Sequence, residues 1–353
     1  MQCGGSEKVI SKLANYLAKE GHNISIITTD REEPSYFELD LKIKRIGILK
    51  GTHGSKFLSI PRKFTSILKL RRVIRKEQPD MVLAFQERTA IFTLLSLLGT
   101  KLFKVVAIRN HPEFKKLGKV MTFLRKRLYR NADVLVTQTE GIAHWIRINL
   151  GLDSEVIPNP VEDVQIANDI SLEKAIYACG RIETQKGFHT LLSIFENLSK
   201  ECSGWTLNFL GDGKEKIKLQ QKVKTSGLEN KVIFKGRVKS PFEYYQKGGI
   251  YAFTSEYEGY PNALCEAMAS GMAVVSFDCP SGPSDLIEDG VNGFLIKLGD
   301  NEAFKNRLKQ LIRDKELRFK LGNEAKKIKD RLAIERIAEK WLSLKAEGRR
   351  RKN

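Results

Sequence analysis

The amino-acid sequence predicts an α/β protein built as two doubly wound domains. Apolar, β-rich runs alternate with amphipathic helical stretches along nearly its whole length, the pattern of parallel sheets covered on both faces. A Pro-stiffened turn near the middle divides it into halves of similar size. At 353 residues and 41% hydrophobic composition, each half has material for its own core. Glycine turns follow several of the apolar runs directly, at the strand ends where open α/β sheets bind ligands.

In the first half the predicted strands are 24–28, 43–46, 81–85, 103–108 and 134–137, with helices between them. In the second half they are 175–178, 206–210, 232–234, 250–253, 273–277 and 293–296. Between the halves, Val156-Ile157-Pro158-Asn159-Pro160-Val161 reads as a short strand entering a stiff turn, followed by the polar stretch 162–169. The expected domains are therefore 1–160 and 161–330. Residues 331–353 form a final helix, with Trp341 on its apolar side and a basic tail at 349–352, that is expected to return to the first domain. One irregularity stands at the start. Gly4-Gly5 opens a helix over 7–19, where a buried strand of about five residues normally comes first, and only three residues precede it. The first strand of the N-terminal domain is thus expected to be missing, with residues upstream of Met1 as its expected source and an impaired first domain as the alternative.

Composition narrows the partners. The five cysteines (Cys3, Cys179, Cys202, Cys265, Cys279) are scattered, with no C-x-x-C pair, which argues against a zinc site or a disulfide framework and fits a reducing cytoplasm. No apolar run reaches the roughly 18 residues of a membrane-spanning helix, and no signal-peptide pattern opens the chain. The net charge of +19 favours polyanions or anionic lipid surfaces. It is local: residues 41–130 carry 23 Lys and Arg against four acidic residues, Glu77, Asp80, Glu87 and Glu113.

Chemistry concentrates after three predicted strands of the second half. The run 250–254 ends in Glu258-Gly259-Tyr260-Pro261 and continues as a helix through Asn262 and Glu266. Pro261 suits a first helical position and Gly259 permits close backbone approach to a ligand. The free N–H groups of that first turn favour an anion such as a diphosphate. Glu258 and Glu266 border the same crevice, one suited to a sugar and the other to ribose hydroxyls. After the strand ending at Ala178, Gly180 allows a tight exit, and Arg181 and Lys186 place two cations where two phosphates would lie. Leu210-Gly211-Asp212-Gly213 is a third strand-end turn. Taken singly, each of these has a plain reading as a helix-start acid, a solvated cation or an ordinary turn.

Their order and spacing resemble family 4 of the glycosyltransferases, enzymes of the GT-B fold in which two Rossmann-like domains face each other across a cleft. The resemblance spans nearly the full length: Gly4-Gly5, 108–112, the hinge 157–161, Gly180-Arg181 with Lys186-Gly187, 210–213, and 258–266 followed by Gly271 and Gly290-x-x-Gly293. It implies a retaining hexosyltransferase. Arg181 and Lys186 would hold the donor diphosphate together with the backbone of Gly259, Tyr260 and Asn262. Glu266 would take the ribose and Glu258 the transferred sugar, while Gly180 and Gly5 would line the nucleotide-sugar site. No divalent metal is expected, in keeping with the absence of any Asp-x-Asp, and the leaving phosphate would help deprotonate the acceptor. Residues 279–285 resemble enzymes using UDP-hexoses or UDP-N-acetylhexosamines, so UDP is the expected nucleotide. In the first domain, Arg109-Asn110-His111-Pro112 is the best polar constellation for the acceptor site, with His111 as the catalytic candidate and Glu87 as a weaker one.

The stretch 114–130 reads as an amphipathic basic helix, with apolar residues at 114, 117, 120, 121, 124 and 128, and 61–76 extends its charge. Such a face suits an anionic membrane presenting a lipid-linked or oligosaccharide acceptor, placing the protein on the inner face of the plasma membrane in bacterial surface polysaccharide synthesis. Nucleic-acid binding would also use the charge. It is disfavoured, because the segment lacks interleaved exposed aromatics and leaves the second-half motifs unused. A GT-B relative with phosphorylase or epimerase chemistry is a further alternative.

Overall fold

A computed structural model of the protein describes residues 5–30, 37–49, 60–162 and 173–350, with side chains for 6–28, 37–48, 65–162 and 173–346. Two compact units emerge, Met1–Pro160 with Ile334–Asn353, and Val161–Ala333.

Unit 1 runs α1 (Gly5–Lys19), β1 (Ser25–Asp30), β2 (Lys44–Leu49), α2 (Ile60–Glu77), β3 (Met81–Phe85), α3 (Glu87–Ser96), β4 (Phe103–Ala107), α4 (Lys119–Leu128), β5 (Val134–Thr137), α5 (Glu140–Leu150) and β6 (Glu155–Val156). Strands β3, β4, β5 and β6 form one parallel sheet in that order, and β1 and β2 form a separate parallel pair. Helix α1 packs against both. Leu13 and Leu17 join Val105, Ala107, Val134 and Val136, while Ala14 and Ala18 join Ile26 and Ile43. Among the described residues no strand pairs with the outer edge of β1 or of β3. Gly4 and Cys3 lie outside the described residues; Gly5 is the first residue of α1.

Unit 2 runs β7 (Ala175–Cys179), α6 (Phe188–Leu198), β8 (Thr206–Leu210), α7 (Lys216–Thr225), β9 (Val232–Gly236), α8 (Phe242–Tyr245), β10 (Ile250–Phe253), α9 (Asn262–Ala269), β11 (Ala273–Asp278), α10 (Pro283–Leu286), β12 (Phe294–Lys297), α11 (Asn301–Arg313), α12 (Lys315–Lys326) and α13 (Ile328–Arg331). Its six parallel strands stand in the order β12-β11-β10-β7-β8-β9. Period-two alternation serves two cores: Ile250 and Ala252 of β10 face one cluster, Tyr251 and Phe253 the other. This order sets β10, β7 and β8 side by side at the centre of the sheet.

Helix α14 (Ile334–Arg350) closes unit 1, burying Ile337, Ala338, Trp341 and Leu344 in the cluster of Leu13 and Val105. The boundary expected at 330/331 moves to 333/334. Leu332 is fully buried in the unit 2 core, and its carbonyl accepts from Val161 N–H at 3.0 Å. The helix expected over 114–130 is also shorter: α4 begins at Lys119, after Gly118 in extended conformation, because Pro112 and Gly118 interrupt the preceding segment. The tail at 349–350 is helical, and 351–352 lie outside the described residues.

Candidate functional site

The three glycine turns of unit 2 meet at the carboxyl ends of β10, β7 and β8. Gly180 N–H donates to Leu210 O at 3.0 Å and Ile182 N–H to Asp212 O at 2.9 Å, joining the turn after β7 to the turn after β8. Gly211 is fixed by this contact: its φ is +153°, and a Cβ there would stand 1.9 Å from Gly180 O. On the other side, Glu256 N–H donates to Gln185 O at 2.8 Å, Gln185 Nε2 to Tyr257 O at 2.8 Å, and Thr254 Oγ1 to Lys186 O at 3.0 Å. Gly187, at φ +63°, would carry its Cβ 2.0 Å from Thr254 O. Only glycine permits such main-chain approaches at positive φ.

These bonds draw together two residues 72 positions apart. Lys186 Nζ donates to Glu258 Oε1 at 2.6 Å, with the lysine side chain 17% and the glutamate 9% exposed. The lysine stem lies over Gly180, where a Cβ would be 3.0 Å from its Cε, and its Nζ stands 5.9 Å from the centre of the Phe253 ring. Arg181 behaves differently. Its side chain is 71% exposed and pairs with Glu183 at 3.1 Å. The two expected phosphate cations are thus one held inward and one at the surface.

Helix α9 starts at Asn262, one residue later than the sequence suggests, and Pro261 takes the capping position. Glu266 and Asn262 are half-buried on its first turns, and Gly259 is half-buried ahead of it. Tyr260 turns inward, packs in the core of Leu264 and Met268, and accepts from Cys265 Sγ at 3.4 Å, so it has only its backbone to offer a ligand. Burial pushes the Cys265 thiol up to about 12, which leaves it protonated and inert as a nucleophile. Sequence reasoning missed Gln185 and Thr254, whose clamp depends on a fold contact that no local motif carries.

In unit 1 the corresponding strand ends gather buried side chains. Arg109 donates to Asn159 Oδ1, Gln138 hydrogen-bonds Asn159 at 2.8 Å, and the guanidinium lies 5.5 Å from the centre of the Phe85 ring. His111 is 5% exposed and its Nδ1 has no hydrogen-bond partner. Burial pulls its pKa below the usual imidazole value against the opposing charge of Glu113, so it is neutral at pH 7. Glu87, the weaker sequence candidate, is committed elsewhere: Arg125 Nη1 donates to it at 2.6 Å with both side chains buried, and Arg125 stacks 5.1 Å from the centre of the Trp145 ring. Burial raises the Glu87 pKa although Arg125 opposes it. That pair is structural.

Among the described residues no group of three or more His, Cys, Asp or Glu is placed to hold a metal ion, no helix is long and apolar enough to cross a membrane, and Cys179, Cys202, Cys265 and Cys279 form no disulfide. Residues 3–165 match the family described as Glycosyltransferase Family 4, and residues 164–328 match Glycosyl transferases group 1. An uncharacterized glycosyltransferase of Haemophilus influenzae is 29% identical over 347 residues, covering 97% of this chain and 96% of that protein. A Campylobacter jejuni alpha-1,4-N-acetyl-D-galactosaminyltransferase, named for a GalNAc-alpha-(1->4)-GalNAc-alpha-(1->3)-diNAcBac-PP-undecaprenol substrate, is 28% identical over 351 residues, covering 98% and 96%. In fold, the crystal structure of Anabaena HepE in complex with UDP superposes with a TM-score of 0.79 at 17% identity, over 98% of this chain and 97% of that one.

Proposed function

The chain belongs to glycosyltransferase family 4, with the group 1 half at its C-terminal side, and from that premise we propose that it is a retaining, metal-independent hexosyltransferase of bacterial surface glycan synthesis. The donor is a UDP-linked hexose or N-acetylhexosamine, and the acceptor a lipid-linked or polysaccharide sugar. One observation carries the donor half of this reading: the Lys186–Glu258 pair, 2.6 Å apart at the ends of adjacent strands, next to the start of α9. Lys186, aided by Arg181, neutralises the leaving diphosphate, the N–H groups at the start of α9 receive its oxygens, and Glu266 takes the ribose hydroxyls. Glu258 lies against the transferred sugar. Two cations do for the phosphates what a divalent metal does elsewhere, and the departing phosphate oxygen takes the acceptor proton on the same face, so configuration is kept. His111, neutral and buried, serves unit 1 as a hydrogen-bonding group toward the acceptor.

The acceptor half rests on α4. Met121, Leu124 and Leu128 pack inward, whereas Val120 and Phe123 are 72% and 68% exposed among the exposed cations Lys115, Lys116, Lys119, Lys126 and Arg127. Three of the four acids in 41–130 are spent on Lys44, Lys345 and Arg125, which leaves Glu113 as the one acid of that segment beside these five cations. Apolar tips within a field of cations fit an anionic bilayer at the inner membrane face, with each cation near the surface worth about 1 kcal/mol. The Campylobacter relative is named for a PP-undecaprenol acceptor, which agrees with such a site of action.

A thermal-shift panel of UDP, GDP and ADP tests the donor, with UDP expected to raise the melting temperature most. No response to any of the three from folded protein overturns the donor assignment. Proton NMR of the product anomer tests retention. Transfer that requires added magnesium would refute metal independence. Pelleting with anionic but not neutral vesicles at low salt tests the membrane surface.

A further inference from the structure

We infer that Glu258 sets how tightly the spent nucleoside diphosphate is held, by competing with its phosphates for Lys186. This rests on the donor reading above and extends it from binding to release. Lys186 Nζ already has a carboxylate at 2.6 Å, and both side chains are largely withdrawn from water. The ammonium has little freedom to turn away, since its stem is laid over Gly180 and its head stands near the Phe253 ring.

A phosphate reaching this Nζ meets a second negative charge bound to the same atom, and in a partly buried site like-charge repulsion is weakly screened. Two states of the reaction then differ. While a sugar that gains positive character lies between Glu258 and the diphosphate, the carboxylate is compensated from both sides. Once the sugar has left, Glu258 faces only anions, repels them and reclaims Lys186. The acid that aids transfer thus also expels the product.

The test is isothermal titration of full-length wild type, Glu258→Gln, Lys186→Met and the double variant with UDP, inorganic pyrophosphate and uridine. Glu258→Gln is expected to bind UDP and pyrophosphate at least tenfold more tightly, to leave uridine unchanged and to turn over more slowly. In the Lys186→Met background the same substitution is expected to change UDP affinity less than twofold. Unchanged or weaker UDP binding by Glu258→Gln overturns the inference, as does tightening that survives without Lys186. Because removal of one partner leaves a charge uncompensated, Glu258→Gln has a second readout in stability. Rescue of a poorly folded variant by UDP supports the inference, and failure of UDP to rescue it overturns it. Wild type that binds neither UDP nor pyrophosphate removes the donor reading as well, whereas normal wild-type binding with an unmoved variant removes this inference alone.

Discussion

At the carboxyl ends of β7, β8 and β10 the turns themselves are joined by main-chain bonds, whereas at the ends of β4 and β5, past the last main-chain bonds of Ile108 N–H to Val136 O and Ile157 N–H to Thr137 O, the joins are made by side chains. In unit 2, the N–H groups of Gly180, Ile182 and Glu256 donate to the carbonyls of Leu210, Asp212 and Gln185 across three turns, and two side chains, Gln185 and Thr254, lock the assembly. In unit 1, Arg109, Gln138 and Asn159 do the joining, and the buried pair of Glu87 and Arg125 ties α3 to α4. A main-chain site tolerates almost no added atom. A side-chain site tolerates exchange provided that charge and hydrogen bonds stay matched.

The largest effect expected from that contrast is at Gly211 and Gly187. Alanine at either would press its Cβ against a carbonyl at about the 1.9 to 2.0 Å given by the backbone. We expect a loss of about 5 kcal/mol in denaturant unfolding, together with nucleotide binding. Gly227→Ala is the control: φ is +64° but nothing lies within 4 Å, so only the left-handed backbone cost of about 1 kcal/mol applies. If Gly211→Ala proves no worse than this control, the backbone account of unit 2 fails.

Next comes Glu87→Ala, which leaves Arg125 charged and buried at a cost of about 3 kcal/mol. The pair replacement Glu87→Leu with Arg125→Met should recover most of it, because matched apolar groups remove both desolvation penalties. A double variant as unstable as the single one would show that unit 1 is no more exchangeable than unit 2. For catalysis, Lys186→Ala should lower kcat/KM about a hundredfold. Arg181→Ala should cost less than tenfold, since its side chain is 71% exposed. Equal losses would erase the distinction between inward and surface cation.

The smallest effect is at His111. Its pKa is depressed in the folded state, so the unfolded chain binds the proton more readily, and stability falls as pH drops below the free imidazole value of about 6.5. Melts of His111→Gln should therefore lose less stability than wild type between pH 7 and pH 5. Parallel curves would mean that another group carries the acid sensitivity.

Much of unit 2 was legible in advance because its site is spelled by glycines, and a glycine needed by the backbone has no substitute. Gly180, Gly187 and Gly211 each announce a turn, and the apolar runs before them announce the strands. What the sequence did not announce is that Lys186 and Glu258 neutralise each other, which follows from packing between turns whose residues lie 72 positions apart, or that Arg181 points outward and pairs with Glu183. In unit 1 the same reasoning offered Arg109, His111 and Glu87, and of these Glu87 proves to be paired with a buried Arg125. An acid just after a strand looks alike whether it faces a ligand or an Arg on the next helix. The 114–130 segment shows the same blindness: periodicity marks Val120 together with Met121 and Leu124, but only the packed helix divides the latter two from the outward Val120, and it also turns outward Phe123, which lies off that stripe.

The bonds that zip the three turns of unit 2 together also bear on the entropy of ligand capture. Turns fastened to neighbouring strand ends by their own peptide groups have little slack left to lose when a diphosphate arrives. Amide hydrogens such as those of Gly180, Ile182 and Glu256 should exchange with solvent nearly as slowly as those in the strands beneath them, in the empty protein as much as in the loaded one. Capture then draws on a surface ordered during folding, and the ligand inherits that order without having to create it.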